Sequence, residues 1–222
     1  MGKQWVRAQI RRNEVQDTVD RGIRWLAGNR RTAGIAAGIA AAVLLCAGLF
    51  LYTHHAKRNA SWEGLSLAQG YAYNGQPDQA VKKIDELNAE YPTTQAAGFG
   101  LLFAGDILYH RGQYKETMKY YNQILDRGEP QSLVPFALGS VALALEASGQ
   151  CPEALKTQER FLQTYHDHFL APQVHSSLAR CQAALGQGDA AKATFQKIVI
   201  QYPDSSWASW AQERLKALGG GA

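Results

Sequence analysis

The dipeptide Gly-Gln recurs at Gly75, Gly112, Gly149 and Gly186, each 37 residues after the one before. Self-similarity at a fixed period of roughly 20–50 residues marks a stack of like units, none of which buries its apolar face alone. Positions fixed relative to each glycine repeat with it. Seven residues earlier stand Ala68, Gly105, Ala142 and Ala179; five later stand Ala80, Thr117, Ala154 and Ala191; twelve later stand Leu87, Ile124, Phe161 and Ile198. Small side chains at the first two positions let helices approach closely, and large ones at the third fill the gap to the next pair.

Each unit therefore reads as helix A, a Gly-Gln turn, then helix B. The first helix A is expected over residues 61–74 and its helix B over 77–91, with Pro77 at a helix start, where its missing N–H breaks no bond. Four units give eight helices. Residues 205–218 supply a ninth, capped by Ser205, with Trp207, Trp210, Ala211, Arg214 and Leu218 on one broad face that covers the end of the stack. The tail 219–222 is expected to be disordered.

Leu67-Ala68, Tyr71, Gly75, Ala80, Ile84, Leu87 and Pro92 in the first unit, and Ala179, Gly186, Ala191, Phe195, Ile198 and Pro203 in the fourth, resemble the tetratricopeptide repeat. The resemblance implies an all-α helix-turn-helix solenoid of four 37-residue repeats plus a C-terminal capping helix. The usual period is about 34, which leaves three extra residues per unit for the connections. Gln158 stands where a large apolar residue is usual, Gln182 where the first unit has Tyr71, and the usual early Trp is missing.

Charge is unevenly spread. Residues 1–31 carry a net +5, Lys57 and Arg58 add two, and residues 59–222 carry −3. The repeats thus lack a basic stripe to neutralise phosphates, which argues against nucleic acid. Between the basic segments, residues 32–52 contain no charge over 21 positions, long enough to cross a hydrocarbon core of about 30 Å. The leader is long for a cleaved signal, and Leu45 before Cys46 does not fit a lipoprotein signal, so an uncleaved anchor is expected. The Lys/Arg bias places the N-terminus in the cytoplasm and the repeats on the other side of the membrane.

The resulting layout is a basic amphipathic segment at 1–31, a transmembrane helix at 32–53, a juxtamembrane linker at 54–60 and the repeat domain at 61–218. In the first of these, Val15, Val19, Ile23 and Leu26 share a face suited to the membrane surface, with Trp5 and Trp25 at headgroup level, and Gly28-Asn29 ends it. A solvated helix is the alternative. In the span, Gly34, Gly38, Ala42 and Cys46 form a small-residue stripe that permits close helix contact. Oligomeric state stays open.

No phosphate-cradling glycine loop, nucleophile elbow or metalloprotease signature is present, and no carboxylate pair stands out, so neither an enzyme nor a cofactor is expected. His166-Asp167-His168 reads as a solvated connection rather than a metal site. Cys151 opens one helix and Cys181 nears the end of the next, antiparallel one. A disulfide is available to them outside the cytoplasm, with two separately buried thiols as the alternative.

In the tetratricopeptide family the concave surface is lined mainly by helix A. The resemblance assigns it Gln69, Tyr73, Phe99, Asp106, Tyr109, His110, Glu146 and Arg180. Tyrosines with mixed charge suit an extended peptide. Packing between helices is the alternative for Tyr73, Phe99 and Tyr109. Arg180 alone does not build the family's carboxylate clamp.

The anchored layout, with Gly105-Asp106-Ile107-Leu108 before Arg111-Gly112-Gln113-Tyr114, resembles the ancillary SecYEG translocon subunit family. That resemblance implies assistance to newly exported chains near the Sec translocon. Tyr202-Pro203-Asp204-Ser205-Ser206 is similar to repeats of the Tol–Pal-associated cell division coordinator and of outer-membrane assembly lipoproteins, implying instead a scaffold for an envelope assembly or division complex.

Overall fold

A computed structural model of the chain describes residues 16–25 and 27–219. Described residues are helical or lie in turns and connections, without strands. The chain divides into two compact units at Ala56/Lys57.

In the first unit residues 16–25 form helix α1, and Asn29 makes the turn before α2, Arg30–Tyr73. Val19, Ile23 and Trp25 on α1 are exposed, whereas Val15, Leu26 and Trp5 lie outside the described residues. The apolar part of α2 reaches a mean hydropathy of 2.4, and none of it is buried in the protein. It is the one helix among the described residues long and apolar enough to cross a membrane. Open space surrounds Gly34 and Gly38. The expected linker at 54–60 is instead helical, and so is the start of the first helix A, because residues 49–63 contain neither Gly nor Pro to break the helix.

In the second unit the end of α2 is followed by α3 (Pro77–Glu90), α4 (Gln95–His110), α5 (Tyr114–Arg127), a 3₁₀ turn at Gln131–Leu133, α6 (Val134–Ala147), α7 (Cys151–Thr164), α8 (Ala171–Ala184), α9 (Gly188–Gln201) and α10 (Ser206–Gly219). The last helix runs one residue later than expected at both ends, with Ser205 capping it through the Ala208 N–H at 3.2 Å. Gly219 is helical; residues 220–222 of the expected disordered tail lie outside the described residues.

The recurring glycine has one cause. All four turn glycines are left-handed, with φ between 72° and 77°, a conformation in which a Cβ costs energy. In each turn two bonds close the A helix: Gly112 N–H donates to Tyr109 O at 2.9 Å and Gln113 N–H to Leu108 O at 2.9 Å. Each glutamine then starts the B helix through its own carbonyl, as Gln113 O does for Thr117 N–H. Nothing in the structure explains why the residue is glutamine, since none of the four side chains caps a helix. The surplus residues sit in the six-residue connections 128–133 and 165–170, whereas at 91–94 the connection is only four long and two of the extra residues lengthen α4 to 16.

The core runs along the stack between A and B helices. Ile84, Ile124, Phe161 and Ile198 are fully buried, each stabilising its unit by about 1.5–3 kcal/mol. Among the polar residues buried with them, Gln158 and His175 stand out. Gln158, the departure from the repeat pattern, is buried and donates to Ser177 Oγ at 2.6 Å. His175 takes a position that Leu101 and Leu138 fill in the second and third units. Burial, aided by Lys197, pulls its pKa down to about 4, and its Nδ1 has no hydrogen-bond partner.

That depression has a sign. Above pH 6.5 His175 is neutral in both states and costs no protonation energy. As pH falls from 6.5 to about 4 the unfolded chain takes up a proton that the folded chain refuses, so stability drops across that window and levels below it. Melting curves of the full chain at stepped pH check this. His175→Leu is expected to flatten the acid limb, and an unchanged limb would place the loss elsewhere.

Candidate functional site

Helices α2, α4, α6, α8 and α10 are the A helices, and one face of each carries the residues expected to line a groove. Two register positions dominate. The first lies three to six residues before the turn glycine and holds Gln69, Asp106, Tyr109, Glu146 and Arg180. The second lies thirteen before it, two helical turns further back on the same face, and holds Trp62, Phe99, Phe136 and Gln173; Trp210 occupies the same position on the capping helix.

Three residues of the first row come together. Glu146 on α6 accepts from Arg180 Nε and, at 2.8 Å, from Arg180 Nη2; it also accepts from Ser177 Oγ. Arg180 Nη1 donates to Ser176 at 2.9 Å, so both charges are held by fixed neighbours. Through Ser177 the pair is tied to buried Gln158 on α7. Tyr109 on α4 lies within electrostatic reach. Its pKa is raised by burial first, with Tyr114 and Glu146 pushing the same way and Arg180 opposing. Its ring meets Tyr114 at 5.4 Å and His110 at 5.9 Å.

Asp106 is anchored differently. Its Oδ1 accepts from the Tyr121 hydroxyl at 2.7 Å. Partial burial raises its pKa, while that bond and nearby His110 pull it back. The same contact, with desolvation the larger cause, drives the Tyr121 phenol far above its ordinary range. Gln69 and His110 are exposed on the same helices.

The packing alternative fares unevenly. Tyr73 is 88% exposed at the end of α2 and packs on nothing, because the helix stops there and no preceding repeat covers it. Phe99 is 39% exposed and stacks on Trp62, itself 40% exposed, at 5.8 Å. Tyr109 is half-buried on Tyr114. The last two therefore pack against neighbouring rings and stay partly exposed.

Phe99 of this second row was expected in the groove and Trp210 on the capping face, whereas Trp62 and Phe136 were expected in neither. Phe136 meets Phe169 at 5.5 Å and His168 at 5.3 Å. Trp210 meets Phe195 at 5.4 Å and carries two guanidinium groups near its ring, Arg180 at 5.8 Å and Arg214 at 5.7 Å. Counting back thirteen from the first three glycines gives Trp62, Phe99 and Phe136, and one further period beyond Gln173 gives Trp210.

Cys151 and Cys181 are disulfide-bonded with Cα atoms 5.1 Å apart, which replaces the alternative of separate thiols. The antiparallel hairpin brings the start of α7 to the end of α8, so two apolar thiols buried at one contact meet. The bond lies one residue from Arg180. Among the described residues no group of three His, Cys, Asp or Glu could hold a metal. His166 pairs with Asp167 at 3.0 Å, while His168 turns inward onto Phe136, Phe161 and Phe169 rather than into solvent.

Two tetratricopeptide repeat family models match the chain, over residues 65–132 and 177–205. No curated protein matches it by sequence. Solved structures do match. A tetratricopeptide repeat protein from Parabacteroides merdae is 17% identical with a TM-score of 0.60 over 72% of this chain, which spans 61% of that protein's length. YrrB, described as a tetratricopeptide protein with an unusual peptide-binding site, is 17% identical at TM-score 0.54, covering 76% of this chain and 84% of YrrB. MamA from Desulfovibrio magneticus RS-1, from residue 41 onward, is 16% identical at TM-score 0.52, over 64% and 76% of the two chains. At these identities the likeness speaks to fold, and with the matched repeats it makes residues beyond Lys57 a tetratricopeptide-type solenoid closed by a capping helix.

Proposed function

We propose that this chain is a single-pass inner-membrane protein, anchored by residues 32–53, whose extracytoplasmic repeats bind extended segments of other proteins and assist newly exported chains near the Sec translocon. The observation that carries peptide binding is the face formed by Tyr109, Glu146 and Arg180, where a half-buried aromatic adjoins a charge pair already held in place. Little ordering entropy is then left to lose on binding. The peptide-binding site described for YrrB supports the same use of a similar fold. An uncharged apolar stretch at 32–52 ahead of the repeats supports anchoring, and a disulfide within them supports an oxidising compartment. No catalytic role is proposed.

The test is a photocrosslinking residue at Tyr109 in intact cells, with Lys119 on exposed α5 as control. Many nascent exported chains captured at position 109 alone are expected, together with translocon subunits. Arg180→Ala is expected to lower the yield several-fold by freeing Glu146. One discrete envelope protein in place of many chains would make the molecule a scaffold. No product specific to position 109 would remove the groove from consideration.

A further inference from the structure

We propose that the end of the stack formed by α2 and α3 is a seat for one amphipathic helix of a partner protein, held as the B helix of a preceding unit would be. Within the chain α3 packs on α4, α5 on α6 and α7 on α8, so each of these A helices is covered by the B helix before it. That cover decides burial at two register positions. Leu67 is 52% exposed, whereas its counterparts Ala104, Val141 and Leu178 are buried. Tyr71 is 36% exposed, whereas its counterparts Leu108 and Leu145 are buried; the fourth unit has Gln182 there. Two clefts of about 460 and 350 Å³ lie along the uncovered side, both walled by Leu67 of α2 and by Lys83 and Glu86 of α3. A solenoid end that exposes large apolar side chains calls for a cap, and none of the described residues covers these two.

The chain's own stacking gives the chemistry of the occupant. Where α3 is seated on α5, the Tyr120 hydroxyl donates to Asp85 at 3.0 Å and Arg127 Nη1 donates to Asn88 Oδ1 at 3.1 Å. Positions i and i+3 of a seated helix therefore face two points seven residues apart on the helix that receives it. One period earlier those points are Lys83 and Glu90. The same seat on α3 thus asks for an acidic residue at i, against Lys83, and a basic one at i+3, against Glu90. Lys83 rests on Glu86 at 3.1 Å, an exposed pair that costs little to exchange. An apolar slot with charges at its wall is a familiar way to hold an amphipathic helix. A second copy does not fit as well. Its B helices are spent inside their own stack, and α10 turns exposed Ser209, Gln212, Glu213 and Lys216 outward, so copies stacked in line would set a polar face on Leu67 and Tyr71.

The test uses the full chain in detergent micelles and a labelled peptide of residues 77–91 carrying Asn88→Lys, with fluorescence anisotropy as the readout. A lactam between the peptide's Lys82 and Glu86 side chains holds it helical and leaves the seated face free. The comparator peptide carries Asp85→Lys and Asn88→Glu instead. The first peptide is expected to bind at least about fivefold tighter than the second, and Lys83→Glu together with Glu90→Lys in the protein should reverse that order. Leu67→Gln is expected to weaken both peptides by about tenfold with little change in melting temperature, since the side chain is half-exposed in the free chain. An order that ignores the charge exchange would overturn the register and with it the proposal. So would binding indifferent to Leu67, or binding of neither peptide. Self-association of the chain through this end, abolished by Leu67→Gln and found in place of peptide binding, would give the face to a second copy and likewise overturn the proposal.

Discussion

Replacing both Cys151 and Cys181 by Ala is expected to lower the stability of the repeat unit by about 3–4 kcal/mol. The bond closes a loop 30 residues apart in sequence, and the chain-entropy treatment of such a loop gives a value in that range. Its position matters as much as its size. A stack of repeats is held by contacts between neighbours, so a loss at one junction is felt by the units on either side. The bond pins the start of α7 to the end of α8, the junction that also carries Gln158, Ser177 and Arg180. Hydrogen exchange should therefore show α7 and α8 opening first in the double variant, with α3 and α4 little changed. Urea unfolding with and without a reducing agent measures the size of the effect. A midpoint unmoved by both the double replacement and the reductant would mean that the two cysteines contribute no crosslink. Either single replacement should cost nearly as much as the pair, because each removes the same bond.

Much of the fold was written in the period. The four glycines predicted turns because a left-handed residue is needed at the same place in every hairpin, and local backbone geometry survives any change in what packs around it. The helices and the capping Ser205 followed from rules of the same local kind. The site was less legible, since it depends on which exceptions in the pattern answer one another across helices. Gln158 looked like a blemish in the repeat; it is the buried end of a polar chain reaching Glu146 through Ser177. Trp62 went unnoticed because it fits neither the small nor the large positions that defined the units, and Trp210 was read only as part of the capping face. The helical course of residues 54–60 was missed for the opposite reason, that function suggested a linker where nothing in the residues interrupts a helix.

Gly105 is such an exception, and it yields the sharpest mutational expectation. At this position the other units carry Ala68, Ala142 and Ala179. A Cβ on Gly105 would lie 2.3 Å from Tyr121 Cε1 and 2.8 Å from Cδ1 and Cζ of the same ring. Tyr121 is 1% exposed and its hydroxyl is tied to Asp106, so the ring has nowhere to retreat. Gly105→Ala is therefore expected to cost about 3 kcal/mol, at the upper end of overpacking, although alanine is the better helix former. In the first unit the position opposite, Tyr121 here, is the smaller Ile84, which leaves room for the Ala68 methyl. Gly105→Ala combined with Tyr121→Ile recreates the Ala68 and Ile84 pair of the first unit and should recover most of the loss. Tyr121→Ile alone leaves a cavity and should itself destabilise, so the two changes couple favourably in a double-mutant cycle. Urea midpoints of the four proteins decide it. If the double variant merely sums the two losses, the glycine is there for another reason. If it recovers, Gly105 and Tyr121 are one substitution made in two places, and the missing methyl group makes room for the Tyr121 ring, whose hydroxyl holds Asp106.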